Sequence, residues 1–359
     1  MKLFQCLNCA HPVFFNNVTC ENCGSWLAYY PPTAEMLALI PFGEVWLIPQ
    51  DGFRAHRYCA NHAHAVCNWL VPNDSPTGFC AACDLNRTVP DPQHPESLEE
   101  WRALEVAKHY LVYALQRLGL PLLSKSADPE RGLAFDFLSP EAAPEPVMMG
   151  HQDGLITLNA HEANPAHRES VRLAVHEKYR TLIGHFRHEV GHYYWDRLIA
   201  GDDQQLAAFR QLFGDETAAY DVALKQHYQQ GPPPDWNQHF ITKYASAHPW
   251  EDWAETWAHY LHLLDTLETA HAFGLSTQPR LPKPETLTAV ADFDPYLEPD
   301  MDRIIDACIP ITFAVNSLNR GMGRPDLYPF VLFPAVRAKL RFVHELVGVA
   351  KKKQWSSKG

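Results

Sequence analysis

Two histidines four residues apart, with a glutamate beside the first, are the strongest candidates for metal chemistry. The run is His188-Glu189-Val190-Gly191-His192. Four residues of helix correspond to about 400° of rotation and about 6 Å of rise, so both imidazoles leave one face and can share a metal ion. Glu189 lies about 100° around the helix, where a carboxylate can take a proton from a metal-activated water. The pattern predicts a zinc site bound by His188 and His192, with Glu189 as general base.

A later helical pattern offers the third ligand that such a site needs. Glu251 and Glu255 lie one turn apart on the flank of an apolar stripe that includes Trp250, Trp253 and Trp257. Two carboxylates beside a core-facing stripe are costly to desolvate unless a cation is near. The alternative interpretation is that both are exposed acids on the helix surface. The pattern predicts that one of the two completes the zinc site and leaves open which one.

Eight of the nine cysteines fall before residue 84, and most are paired at metal-ligand spacing. The first set consists of two Cys-x-x-Cys pairs, at Cys6, Cys9, Cys20 and Cys23. Four thiolates in a tetrahedron suit zinc, and an iron site of rubredoxin type is an open alternative. The set predicts a small metal-stabilised ribbon.

The second cysteine set is less regular. It comprises Cys59, Cys67, Cys80 and Cys83, with one tight pair and one wide pair. Three nearby histidines could replace a cysteine ligand: His56, His62 and His64. We expect a second zinc site that holds together a segment too small to form a sufficient core alone. A recognition role for the ribbons is the alternative.

Composition and charge exclude several classes of protein. The 359 residues are 46% hydrophobic and 20% charged, which is typical of a folded chain, and the net charge is −12. Residues 1–90 contain four basic and six acidic residues, the wrong balance for a nucleic-acid-binding ribbon. No apolar run is long enough to span a bilayer. The first residues lack the apolar core of a signal peptide, so we expect a cytoplasmic protein without nucleic-acid or membrane partners.

The elements that must position these residues can be read from periodicity and turn signals. Helical patterns cover residues 97–118, 171–199, 203–212, 216–228, 251–271 and 335–349. Residues 133–138 alternate like a strand, and residues 147–149 and 155–158 flank Asp153-Gly154, a hairpin signal. These patterns predict an α+β fold.

The predicted domains follow the change from cysteine-rich to helical sequence. Residues 1–50 and 51–95 would each form a small β-rich zinc ribbon. A mainly helical, zincin-like domain would follow at residues 96–350, and residues 351–359 would be a basic tail.

Several segments together resemble the bacterial zinc-binding metallopeptidases that carry N-terminal zinc ribbons. The resemblance lies in residues 80–88, 184–196, 248–262, 264–270 and 316–320, and so covers nearly the whole chain. More widely, the sequence is similar to the gluzincins, in which a glutamate on a later helix completes the zinc site.

This resemblance implies roles for individual residues. It makes Glu251 the third zinc ligand and Glu255 the outer carboxylate that holds an imidazole. It also implies that Tyr244, seven residues before Glu251, stabilises the oxyanion, although an ordinary core tyrosine would explain this residue equally well. Zincins have an edge strand before the active-site helix, so residues 155–159 could present backbone groups to a peptide.

The sequence therefore predicts a zinc-dependent metallopeptidase acting on a peptide or protein substrate, with one catalytic and two structural zinc ions. The competing hypothesis is a non-catalytic adaptor in which the histidine site is structural and the ribbons dock a partner.

Overall fold

The computed structural model describes residues 2–140, 147, 149–174 and 180–356. It contains two compact units, one formed by Lys2–Gln116 with Leu122–Val171 and the other by Arg117–Pro121 with Arg172–Gly359. Strands dominate the beginning of the chain and helices the rest, which confirms the α+β prediction. The predicted domain boundaries at residues 50, 95 and 350 stay predictions.

The cysteine-rich segment is built from short antiparallel strands. They form a two-stranded sheet of β1 and β2, a two-stranded sheet of β3 and β4, and a four-stranded sheet in the order β5-β6-β7-β8. The strands are β1 (Phe4–Gln5), β2 (Pro12–Val13), β3 (Leu27–Tyr30), β4 (Glu35–Ala38), β5 (Ile40–Phe42), β6 (Val45–Ile48), β7 (Arg54–Tyr58) and β8 (Leu70–Pro72). Phe15, Tyr29 and Trp69 pack their rings together in the core of this segment.

The same unit contains a long helix and a mixed sheet. The helix is α1 (Pro95–Arg117), and the sheet has the order β11-β12-β10-β9. Its strands are β9 (Asn86–Thr88), β10 (Ala134–Leu138), β11 (Gly150–Gln152) and β12 (Leu155–Asn159). Helix α1, strands β10 and β12 and the Asp153-Gly154 turn agree with the sequence prediction, but the first strand of the hairpin lies at Gly150–Gln152 and not at the predicted residues 147–149. Residues 141–146 and 148 of that region lie outside the described part.

The hairpin turn requires glycine at position 154. Asp153 and Gly154 both have positive φ values, of 50° and 79°. A Cβ on Gly154 would also lie 2.3 Å from the carbonyl oxygen of Gly132, closer than atoms can approach. The Asp-Gly signal in the sequence therefore marks a turn that is fixed by both backbone conformation and packing.

The structure corrects the prediction that residues 155–159 present backbone groups to a peptide. Strand β12 pairs in parallel with β10 on one side and antiparallel with β11 on the other. The backbone of residues 155–157 is therefore paired on both sides within the sheet, and among the described strands β11 and β9 lie at its edges.

The helix predicted over residues 171–199 is interrupted. The structure has α2 (Pro165–Ala174) and α3 (Leu182–Leu198), and residues 175–179 lie outside the described part. Thr181 has an extended backbone, and its side chain accepts a hydrogen bond from the N–H of Gly184. This N-cap fixes where α3 begins.

The remaining helices follow the predicted pattern, with two additions, a short helix at Trp236–His239 and a long one at Met301–Gly321. They are α4 (Asp203–Phe213), α5 (Tyr220–Gln230), α6 (Trp236–His239), α7 (Pro249–Ala272), α8 (Met301–Gly321) and α9 (Pro334–Ser356). Helix α5 begins four residues later than expected because Asp215 caps a turn by accepting hydrogen bonds from Thr217. Helix α8 was not predicted, because Pro310 lies inside it and proline usually ends a helix.

Helix α7 is the centre of the helical unit. It packs against α3, α4, α8 and α9, and its buried residues lie all around its circumference. A helix that is buried on every side needs neighbours on every side, so the other helices are arranged around it. A short sheet of β13 (Ser276–Thr277) and β14 (Ala289–Val290) completes the unit. In the described ranges, every helix is too short or too polar to cross a bilayer.

Candidate metal centres

The close approach of α3 and α7 depends on Gly191. A Cβ at this position would lie 3.1 Å from the Cα of Ala254 and 3.2 Å from the Cβ of Trp257. The indole N–H of Trp253 also donates a hydrogen bond to the carbonyl of Gly191, at 2.8 Å. Glycine between Glu189 and His192 therefore lets the first turns of α7 reach the histidine-bearing face of α3.

The start of α7 is fixed by a histidine cap. The His248 side chain accepts a hydrogen bond from the N–H of Trp250 at 3.1 Å, and Pro249 occupies the first helical turn, where it is favoured. Glu251 consequently lies in the first turn of the helix, facing α3. The indole of Trp250 packs on the His192 ring with centroids 4.1 Å apart.

His188, His192 and Glu251 converge on one point. The Nε2 atoms of the two histidines are 3.2 Å apart, and the two carboxylate oxygens of Glu251 lie 3.0 Å from Nε2 of His188 and 3.6 Å from Nε2 of His192. Zinc–nitrogen bonds of about 2.0–2.1 Å give edges of about 3.3 Å in a tetrahedral site. The three donors thus have the separation that a zinc ion requires.

The electrostatics of this centre also favour a cation. Glu251 is almost completely buried, and its Oε2 faces Nε2 of His188 at 3.0 Å. Burial by itself would raise the pKa of Glu251, but the adjacent imidazoles of His192 and His188 hold it well below its usual value. A buried ionised carboxylate aimed at two imidazoles is a donor set that a divalent cation satisfies.

Glu255 lies outside the group of three and orients one of its members. Its Oε1 is 2.7 Å from Nδ1 of His188, and its Oε2 accepts a hydrogen bond from Thr242 at 2.6 Å. A carboxylate beside Nδ1 favours the proton there, which would leave Nε2 available to a metal ion. Burial disfavours the imidazolium, yet Glu251 and Glu255 together raise the pKa of His188 well above its usual value.

Two tyrosines lie beside the three donors. Tyr244, which the sequence analysis named as the oxyanion donor, begins a single helical turn (Tyr244–Ala247) just before α7. Its ring centroid is 5.9 Å from that of His188. Tyr220, at the start of α5, was missed, and its hydroxyl donates a hydrogen bond to Oε1 of Glu251 at 2.7 Å. Burial and the charge of Glu251 raise the pKa of both tyrosines, so both hydroxyls remain protonated.

Other histidines near the motif have different partners. His262 contacts Arg187, which pairs with Asp265. His259 hydrogen-bonds the Tyr328 hydroxyl at 2.9 Å. These two side chains are parts of polar networks between α3, α7 and the segment after α8.

The first cysteine set forms a partly exposed cluster. Cys6 and Cys23 have their sulfurs 3.7 Å apart, and those of Cys9 and Cys20 are 3.6 Å apart. Zinc–sulfur bonds of about 2.3 Å give tetrahedral edges of about 3.8 Å, so the four sulfurs fit one zinc ion. Cys23 is exposed, and a hydrogen bond with Ser25 lowers its pKa to about 5.

The second cysteine set also converges, but inside the protein. All four cysteines are buried, and the sulfurs of Cys67 and Cys80 are 3.7 Å apart. His62, one of the predicted alternative ligands, instead places Nδ1 2.8 Å from the carbonyl of Cys67 and stacks on Tyr58. The histidine beside this cluster is His109, which no sequence pattern indicated because it lies 42 residues from Cys67.

Comparisons with known proteins agree with these centres. Residues 97–346 match the family described as "Putative zinc-binding metallo-peptidase", and residues 3–94 match a zinc-ribbon domain. The chain is 43% identical over 349 residues to uncharacterized proteins of Mycobacterium bovis and Mycobacterium tuberculosis, covering 97% of this chain and 95% of each relative. No solved structure matches.

The family match covers most of the chain and includes α3 and α7, which carry the two histidines and Glu251. The zinc-ribbon match covers both cysteine clusters. The chain therefore belongs to this zinc-binding metallo-peptidase family, with a zinc-ribbon region at its N-terminal end.

Proposed function

We propose that this protein is a gluzincin-like peptidase that hydrolyses peptide bonds, with zinc held by His188, His192 and Glu251. The observation that supports this most strongly is the convergence of three protein donors, one fewer than structural zinc sites use. Sites with three protein ligands are typical of catalytic zinc. Glu189 is adjacent on the same helix and is buried, as expected of the general base.

Zinc bound there would act as a Lewis acid, polarising the scissile carbonyl and lowering the pKa of a water molecule. The chain's own residues would handle the protons. Glu189 would accept a proton from the attacking water and return it to the departing amine, which a free amine leaving group requires. The substrate would be a peptide or protein, of unspecified sequence.

The choice of Glu251 over Glu255 as ligand rests on the contacts of the two carboxylates. Both oxygens of Glu251 face the imidazole Nε2 atoms, whereas Glu255 already binds Nδ1 of His188 and Thr242. Glu255 would therefore be a positioning residue. It would keep His188 in the tautomer that binds zinc.

Tyr244 would stabilise the oxyanion that develops on the substrate. Its raised pKa keeps the hydroxyl protonated, and its ring lies beside His188. Preorganised hydroxyl donors of this kind stabilise a tetrahedral intermediate more than they stabilise the ground state. Tyr220 would hold Glu251, since its hydrogen bond is directed at a ligand oxygen.

The two cysteine clusters would each hold a structural zinc, giving three zinc ions per chain. Their four donors leave no coordination position for a substrate. A cytoplasmic location and the absence of nucleic-acid partners remain predictions from the sequence.

The test compares Glu189→Gln with the wild-type chain on a library of quenched fluorescent peptides, with zinc content measured in parallel. We expect three zinc ions per chain in both proteins and a loss of turnover by about 10²-fold to 10⁴-fold in the variant. Glu130→Gln, at an exposed position, is the matched control and should behave as wild type.

Two results would reject the proposal. Full turnover in Glu189→Gln would remove Glu189 as the base. A wild-type chain that binds three zinc ions and cleaves none of the peptides would favour the adaptor hypothesis.

A further inference from the structure

Helix α1 buries three polar side chains beside the second cysteine cluster. Glu105, Lys108 and His109 are each at most 4% exposed. Burying such groups is unfavourable unless each has a partner, and charged groups are rarely buried this completely. Their partners therefore indicate what this part of α1 does.

His109 is directed at the sulfurs. Its Nε2 lies 3.5 Å from Sγ of Cys67 and 4.0 Å from Sγ of Cys83, and its ring stacks on Trp69 with centroids 5.0 Å apart. The stacking fixes the ring plane, so these distances result from a defined orientation of the imidazole. An N–H at Nε2 would point at both thiolates.

Backbone N–H groups donate to three of the four sulfurs of the cluster. The N–H of Cys80 lies 3.3 Å from the sulfur of Cys59, that of Cys83 lies 3.4 Å from Cys80, and that of Trp69 lies 3.4 Å from Cys67. For Cys83, the nitrogen donor found among the described residues is His109. The four sulfurs lie within 4.8 Å of one another and offer the four donors that a structural zinc site uses, so His109 would lie outside the set as a hydrogen-bond donor.

Glu105 and Lys108 extend the contact from the cluster to the mixed sheet. Oε1 of Glu105 lies 2.7 Å from Nζ of Lys108 and 3.5 Å from the sulfur of Cys83. Oε2 accepts hydrogen bonds from Trp101 at 3.0 Å and from Asn86 at 3.1 Å. Because Asn86 begins β9, these contacts join Cys83, α1 and the first strand of the sheet.

Lys108 reaches the neighbouring strand as well. Its Nζ lies 5.8 Å and 5.4 Å from the ring centroids of Phe135 and Phe137, both in β10. It also donates a hydrogen bond to Asn86. Its Nζ lies 2.7 Å from the same Glu105 oxygen that approaches the sulfur of Cys83, so Lys108 offsets the negative charge that thiolate ligands add beside this carboxylate when the cluster binds a metal.

We propose that the second cysteine cluster is a zinc site built into the helix and sheet of its unit, with His109 as the hydrogen-bond donor to Cys67 and Cys83. Metal binding there locks α1 to β9 and β10. The cluster is thus a part of the α1–sheet core, and its role does not depend on the proposed peptidase activity.

The first experiment uses cadmium-113 NMR on the fully loaded, full-length chain, with His109→Gln compared with wild type. Both proteins should show two four-sulfur cadmium signals. In the variant, one of the two should be lost to EDTA at about 10-fold to 100-fold lower chelator concentration, the usual effect of removing an outer partner. His94→Gln, which alters an exposed histidine, is the matched control.

Two outcomes would overturn the assignment. A mixed sulfur–nitrogen signal in the wild type that disappears in His109→Gln would make His109 a ligand. If His109→Gln kept its metal against EDTA as well as the wild type does, His109 would not stabilise metal binding.

The second experiment needs no variant and covers the case in which His109→Gln does not fold. Hydrogen exchange of the wild-type chain is followed by mass spectrometry while EDTA empties the sites, with cadmium signals identifying which site is empty. Amides of α1, β9 and β10 should lose protection together when the second cluster loses its metal. Protection of α1 and β9 that survives this loss would overturn the proposal.

Discussion

The two cysteine clusters use the same ligands in different surroundings. In the first, Cys23 is exposed, and its side-chain neighbours Asn8 and Ser25 come from the same short segment. In the second, all four cysteines are buried, and their side-chain neighbours Glu105 and His109 come from α1. An identical four-sulfur set can therefore fasten a surface loop or form part of a core.

The histidine centre between α3 and α7 adds a third arrangement. It has three protein donors instead of four, and the carboxylate of Glu255, the hydroxyl of Tyr220 and the ring of Tyr244 lie beside them. The number of donors separates structural from catalytic sites, whereas the surroundings decide how strongly each site is coupled to the fold. Four predictions test this contrast.

The largest difference should appear when each cysteine cluster loses one ligand. Cys80→Ser should unfold the unit that contains α1 and the mixed sheet. Structural zinc binding is worth on the order of 10 kcal/mol, comparable with the whole stability of a domain. Cys23→Ser should release one zinc with only local disorder near residues 2–30. Thermal unfolding and hydrogen exchange measure both effects, and equal losses in the two variants would contradict the contrast.

At the histidine centre, the hydroxyl of Tyr244 should affect turnover more than that of Tyr220. Tyr244→Phe should lower kcat by about 10²-fold, as expected for one oxyanion donor. Tyr220→Phe should mainly weaken zinc binding, by about 10-fold, because its partner is Glu251. Steady-state kinetics at saturating zinc separates the two effects. Tyr228→Phe is the control, and a larger kcat loss in Tyr220→Phe would exchange the two roles.

Glu255→Gln should show that the outer carboxylate acts only on its own centre. Loss of the contact to Nδ1 of His188 should weaken one zinc ion by about 10-fold to 100-fold and leave the two cysteine sites filled. Competition with a chelator, followed by zinc analysis, gives the stoichiometry and affinity. If all zinc affinity at this centre vanished, Glu255 would be a ligand itself.

The smallest effect concerns the reactivity of cysteines toward iodoacetamide. In the zinc-loaded chain, Cys23 should be labelled first among the cluster cysteines, since it is the exposed one. Cys308 should be labelled last, because burial raises its pKa to about 12. Mass spectrometry after short exposure gives the order, and early labelling of Cys67 or Cys83 would show that the second cluster is open.

Much of the fold could be predicted because its signals are local. The Asp153-Gly154 turn, the apolar periodicity of α1 and α7 and the four-residue spacing of His188 and His192 each lie within one element. Two features could not be predicted from such local signals: the residue at which α3 begins, and the existence of α8. In the first case a single cap at Thr181 decides the boundary, and in the second Pro310 hides a helix that packing stabilises.

The sequence by itself determined the ligand types, their spacing within elements and hence the metal chemistry. Tertiary structure decided the partners of each ligand. Tyr220 lies 31 residues from Glu251, and His109 lies 42 residues from Cys67. Helical and turn spacings are set by backbone geometry over a few residues, but contacts between distant residues depend on how whole elements pack. Gly191 shows this dependence at a single residue, because α3 and α7 can approach each other only where it has no side chain.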